Sequence, residues 1–242
     1  MNNKIFIVHP KDKSTKFLKR IKTHILHKVD QTIYPIQIFN IYPNNQSHQS
    51  CLNELKKCTK DDFIIIMGHG RSDGIYGGMG DFSNSFISTE AYLENPEKYY
   101  QREIFIDQTN SEIFQEKKII SITCRSAEFG YMIKNRVAVF LGFGEIRTSI
   151  EELEEAGIIS SLKLVANIKA EINYIMKRSL VLAINRKYTF FQLYDLIHLI
   201  TRQRIISITK SSIRNKKLLI SELYDFINNM KLLGRGELTI IE

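Results

Sequence analysis

Two apolar runs dominate the hydrophobic pattern: DFIIIMGHG (Asp62 to Gly70) and KIISITCRS (Lys118 to Ser126). Each holds the short stretch of β-branched and aliphatic residues expected of a strand covered on both faces. The first stops at glycine–histidine–glycine and the second at a cysteine. Around them the pattern predicts a strand at Lys4 to Val8, closed by Pro10. A helix capped by Ser14 or Thr15 follows to Lys28, with Phe17, Leu18, Ile21, Ile25 and Leu26 on one side. Pro35 to Ile41 reads as a second strand, the Pro43-Asn44-Asn45 turn ends it, and a helix covers His48 to Lys57. With Phe63 to Met67 as the third strand, this alternation predicts an α/β fold with a mainly parallel sheet and right-handed crossovers.

Downstream the signal changes. Gly74, Gly77, Gly78 and Gly80 mark a loop or short hairpin in which backbone can approach a ligand closely. Between Ser88 and Lys117 the pattern suggests a helix near Thr89 to Leu93, a strand near Glu103 to Asp107 and a helix near Ser111 to Glu116. A strand at Ile119 to Thr123, a helix at Ser126 to Lys134 and a strand at Val137 to Gly142 complete the first 150 residues. From Glu151 onward helical spacing prevails, over Ile158 to Asn185, Thr189 to Ile200 and Leu218 to Leu233, with Gly234 and Gly236 ending the last helix. LTII, Leu238 to Ile241, is the right composition for a short edge strand. The expected organisation is a catalytic α/β domain over 1–150 and a basic, mainly helical extension over 151–242 packed on it.

Charge sharpens the second half of that reading. Residues 1–159 carry 20 Lys+Arg and 20 Asp+Glu, whereas residues 160–242 carry 14 against 6, so the whole net charge of +8 lies in the extension. Such a surface suits nucleic acid, an acidic partner or an anionic surface, or the docking of a protein activator, regulator or substrate protein; a solvated helical face is the plainer reading. No run of eighteen apolar residues is present, so no membrane span is expected. Three cysteines without a C-x-x-C pair argue against a disulfide framework and a zinc site, and favour a reducing, cytoplasmic setting.

The candidate chemistry lies at the two strand ends. Ligands of open α/β sheets bind beyond the carboxyl ends of parallel strands. If the two strands are neighbours, His69 and Cys124, 55 residues apart, meet there as general base and nucleophile. A helix starting at Ser126 would favour the Cys124 thiolate. Backbone N–H groups of Gly70 and Cys124 are the candidate oxyanion donors, and the Gly142-Phe143-Gly144-Glu145 turn is expected to line the substrate site. Asp81, Asp107, Glu128 and Glu145 could form a pocket for a basic side chain, or Arg71 and Arg125 one for an acidic side chain. Taken singly, a Cys ending a core strand is commonly a small buried hydrophobe, and His198 in its apolar helix reads as a satisfied core histidine. His9 reads as a turn residue, and Cys51 and Cys58 as structural. His24, His27 and His48 lack metal-site spacing. Neither G-x-x-x-x-G-K-[ST] nor a helix-opening G-x-G-x-x-G occurs, which disfavours a nucleotide-binding protein.

Histidine–glycine after one hydrophobic strand and cysteine after the next core strand resembles the caspase-like (clan CD) cysteine peptidases, in which the His precedes the Cys by about 50 residues. IIIMGHGRSDGIYG and IISITCRSAEFG are most similar to the bacterial CHAT-type branch, over roughly residues 1 to 150. The resemblance implies an α/β/α sandwich and cofactor-free hydrolysis of a polypeptide through an acyl-enzyme, often in defence or programmed death. Ile-Thr-Cys-Arg-Ser stands where caspases carry Gln-Ala-Cys-Arg-Gly, so their specificity for Asp does not transfer, and no interdomain cleavage loop is visible. The rival reading is a catalytically silent module on the same fold, its basic helices engaging protein or nucleic acid.

Overall fold

A computed structural model of the chain describes residues 3–12, 14–78 and 104–242. Its centre is a six-stranded sheet of order β2-β1-β3-β7-β8-β9, with β1 Ile5–Pro10, β2 Ile36–Ile41, β3 Phe63–Met67, β7 Lys118–Ile122, β8 Val139–Gly142 and β9 Lys231–Gly234. The first five strands run parallel; β9 pairs antiparallel with β8. A second sheet of β4 Gly70–Arg71, β5 Gly74–Tyr76 and β6 Ile104–Asp107 is antiparallel, and its first two strands are the hairpin expected of the glycine-rich stretch. The expected helix at Thr89 to Leu93, together with Gly80 and Asp81, lies outside the described residues.

The alternation of side chains along each strand explains the layers. Ile5, Ile7, Phe63, Ile65, Ile120, Val139 and Leu141 face one way, into a core closed by α1 Lys19–Lys28, α5 Leu162–Asn185, α6 Phe190–Thr209 and α7 Lys216–Asn228. Phe6, Val8, Ile64, Ile66, Ile119 and Phe140 face the other way, toward α2 Asn45–Lys57, α3 Ser126–Ile133 and the 3-10 turn Ser111–Phe114. The protein is thus an α/β sandwich on a mainly parallel sheet. Among the described residues no helix is long and apolar enough to cross a membrane.

The C-terminal segment does more than lean on this sandwich. Its helices supply most of one layer, and β9 becomes the sixth strand of the sheet. Helical spacing extends the last helix to Leu233, but α7 stops at Asn228 and KLLG pairs with VFLG of β8. Leu232 packs against one core and Leu233 against the other, as a strand inserted between two layers requires. LTII makes only a single bridge, Thr239 to Thr189. The first two long helices of this segment begin at strong caps: Ser161 accepts from Leu164 N–H, and Thr189 and Gln192 form a capping box.

Candidate functional site

Met67 of β3 and Ile122 of β7 stand opposite each other in parallel register, and both point into the core closed by α1 and α5. His69 and Cys124 each follow two residues later, and they line the same narrow cleft with Ser14, Phe17, Gly68, Ile146, Thr148 and Glu152. Two glycines bring the segments this close. Gly68 adopts φ +153°, and a Cβ there would sit 2.8 Å from Pro10 Cγ; its N–H donates to Ile122 O at 3.3 Å. A Cβ on Gly70 would lie 2.7 Å from Thr123 Oγ1 and 2.8 Å from Cys124 O. Tyr76 N–H donates to His69 O at 3.0 Å, which makes 69/76 a hydrogen-bonded pair and Gly70/Ile75 the non-bonded pair after it. The Gly70 N–H therefore faces away from β5.

His69 is held from the far side of the cleft by the turn after β1. Its Nε2 lies 2.8 Å from Ser14 Oγ and 3.5 Å from Asp12 Oδ2. Ser14 donates its own hydroxyl proton to Asp12 Oδ1 at 2.7 Å, so its oxygen is left to accept from His69. That arrangement selects the Nε2–H tautomer and leaves Nδ1 as the basic nitrogen. Asp12 is fixed in turn by Thr15, whose N–H and Oγ1 both donate to Oδ1 at 2.8 Å. Burial alone would raise the Asp12 pKa; the hydrogen bond and charge attraction of His69, with Thr15 and Ser14, hold it well below the usual carboxylate range. Neither Ser14 nor Thr15 caps a helix as expected. A 3-10 turn over Lys16–Leu18 leads into α1, and the two hydroxyls serve this network.

Cys124 is half-buried, and its thiol donates to Ile146 O at 3.2 Å. Burial, with Glu152 nearby, pushes the thiol up to about 12. The helix expected after it does begin at Ser126, preceded by Arg125 in the left-handed region at φ 54°. This bend is locked on both sides. Arg125 N–H donates to Gly144 O at 2.7 Å, Ala127 N–H to Phe143 O at 2.8 Å, and Phe143 N–H to Ser126 Oγ at 2.9 Å. The dipole of α3 thus favours the anion at Cys124 while burial opposes it, and in the resting protein burial prevails.

The turn expected to line a substrate site contributes differently at each position. Gly142 packs against the first residues of α3 and Gly144 against Asn229. Phe143 is fully buried and stacked on Phe226, ring centroids 4.8 Å apart, so its side chain belongs to the core. Glu145 alone is exposed, 3.7 Å from Arg125 Nε, while Arg125 also grips Glu128 through two bonds of 2.9 and 2.7 Å. Arg125 is thus shared by two carboxylates, and Asp107 is occupied by the turn it shares with Thr109 and Asn110. Arg71 lies 3.9 Å from Asp73. The turn reaches the cleft through Ile146 and Thr148 instead.

Asp12, Ser14 and Ile146 escape the sequence pattern. Their signal is topological: β1 neighbours β3, so the turn after Pro10 opens on the same sheet edge as His69. His9 is buried rather than in a turn, with Nε2 3.2 Å from Thr15 O and a pKa lowered to about 4, chiefly by burial. His198 differs from a satisfied core histidine: its ring leans on Tyr194 at 4.7 Å, and Nε2 has no hydrogen-bond partner among the described residues. Cys51 and Cys58 are buried, and among the described residues no three His, Cys, Asp or Glu side chains are grouped to hold a metal ion. No known family profile matches the chain, and no curated protein is significantly similar to it.

Proposed function

We propose that the protein is a caspase-like cysteine endopeptidase of the CHAT type, working without a cofactor on a polypeptide in the cytoplasm. The observation that carries this reading is the shared cleft of Cys124 and His69, with Asp12 and Ser14 directing the His69 proton to Nε2. In the reaction, His69 Nδ1 takes the Cys124 proton as the sulfur adds to the scissile carbonyl. The oxyanion is met by the N–H groups of Gly70 and Cys124. Collapse expels the amine, which receives the proton from His69, and leaves a thioester. Water, deprotonated by His69, hydrolyses that thioester and frees the thiol. Asp12 stabilises the imidazolium formed in both halves.

The resting thiol is protonated and tied to Ile146 O, so substrate or an activator has to draw it off that carbonyl first. The same observation favours the second reading, a catalytically silent binding module. An electrophilic peptide probe separates them. The peptidase labels at Cys124 and not at buried Cys51, and His69→Ala slows labelling by about 10²-fold or more. Equal, slow labelling of both cysteines, unchanged by His69→Ala, leaves the binding module. A peptide-library cleavage assay against Cys124→Ala then reports the scissile residue.

A further inference from the structure

Beside the catalytic cleft runs a second, wider groove of about 440 Å³ between the start of α1 and the middle of α5. Ser14 and Phe17 line both, so the two are immediate neighbours. Lys16 and Arg20 form one wall and Lys169 stands on the other; among the described residues no carboxylate lines the groove. Lys16 and Arg20 are exposed, and among the described residues none of the three cations forms an ion pair. Arg125, Arg147, Arg204 and Arg235 all hold carboxylates elsewhere on the surface, whereas Lys163 and Arg214 line a separate cleft and form no ion pair among the described residues. The floor is low because Ala166 and Ala170, one turn apart on α5, present only methyl groups.

We infer that this groove holds an acidic segment of the polypeptide substrate, next to the bond delivered to Cys124. The inference rests on the peptidase reading for the identity of the ligand. Three unpaired cations converging on a groove raise the local concentration of an anionic partner and fix its register. Asp12, two residues before Ser14, is nearly buried and engaged with His69, so it opposes an incoming carboxylate little. A nucleic acid is the less suitable anion. Base stacking needs an open aromatic face, and Phe17, the one ring among the described residues that line the groove, already has the Lys169 ammonium over it at 5.4 Å.

The test uses the full chain carrying Cys124→Ala and a short fluorescent peptide alternating Glu and Ala, beside its Gln-for-Glu counterpart. Anisotropy is expected to show the Glu peptide binding roughly tenfold tighter at low salt, with the preference shrinking as salt rises. Replacing Lys16, Arg20 and Lys169 together by Gln removes the preference, whereas Lys163→Gln with Arg214→Gln, in a separate basic cleft, retains it. All five cation positions altered are on or near the surface, and thermal melting confirms that each variant is folded. Equal binding of the two peptides, or a preference that survives the triple substitution, overturns the inference. So does a single-stranded oligonucleotide that binds tighter than the Glu peptide and depends on the same three cations. The two readings fail separately: electrophile labelling of wild-type Cys124 without a Glu preference removes the groove assignment alone. A Glu preference with an inert Cys124 retains the groove and removes the peptidase.

Discussion

Asp12 and His69 are far apart in the chain yet meet with Oδ2 3.5 Å from Nε2, across the C-terminal ends of two adjacent parallel strands. The carboxylate is 3 % exposed and the imidazole 26 %, so a nearly buried anion orients a group that still reaches solvent. Asp12→Asn keeps the shape and removes the charge. Labelling of Cys124 by a peptide electrophile is expected to fall by about 10²-fold, in the range of acid–base contributions. Ser14→Ala, which loosens only the tautomer, is expected to cost less. Comparable losses in both variants, tracking their melting temperatures, would point to a scaffold role instead.

The thiol makes a different prediction. With Cys124 pushed up to about 12, a small neutral electrophile meets mostly thiol at any ordinary pH. Its reaction rate is expected to climb about tenfold per pH unit through the neutral and mildly alkaline range, because the thiolate fraction does so below the pKa. A peptide-bearing electrophile, which displaces the thiol from Ile146 O, is expected to give a flatter profile. Stopped-flow rates against pH distinguish the two.

His9 governs acid stability. Its folded pKa of about 4 lies below the unfolded value of about 6.5, because burial disfavours the imidazolium. Between these values the unfolded chain binds more protons, so stability falls as pH drops from 6.5 toward 4 and is fully present above 6.5. The span corresponds to about 3 kcal/mol. His9→Gln is expected to flatten the urea midpoint over this window. Asp12 acts lower, since a depressed carboxylate loses its contribution only as pH falls below the ordinary Asp range.

Arg147 ties the turn that holds Cys124 to helix α7. Its Nη1 lies 3.2 Å from Glu222 Oε1 and 3.3 Å from Asp225 Oδ2, with the Glu222 side chain 5 % exposed. Burial raises the Glu222 pKa, and Arg147 works against it. Arg147→Met strands that carboxyl, and a loss of about 3 kcal/mol is expected. The double variant Arg147→Met with Glu222→Gln should recover part of it, measured as a denaturant midpoint shift at constant slope.

Phe143→Ala separates packing from recognition at the turn after β8. The ring is fully buried against Phe226, so a stability loss of about 3–5 kcal/mol is expected. Peptide selectivity among the surviving folded molecules should be unchanged.

The parallel sheet and both strand ends were legible because strands buried on two faces are written as continuous apolar runs, as in FIIIM and KIISI. The helix start at Thr189 agrees with its capping box, whereas the helices expected from His48 and Ile158 begin at the capping side chains of Asn44 and Ser161. β9 was hidden because Leu232 and Leu233 also fit the helical spacing running from Leu218, and only the open edge of β8 decides the matter. Asp12 was hidden for a related reason. Its role depends on which strands are neighbours, which local pattern does not encode. The apolar faces of α5, α6 and α7 announce burial without naming the surface they bury against.

That the late helices close the core beneath Ile120 and Ile122 has a consequence during synthesis. A chain emerging from the ribosome carries the cysteine and histidine early, yet one side of their strands has only α1 to cover it until residues 162–228 follow. Whatever chemistry the thiol performs is therefore withheld from the growing polypeptide, and the finished molecule acquires it in one step as the last layer docks.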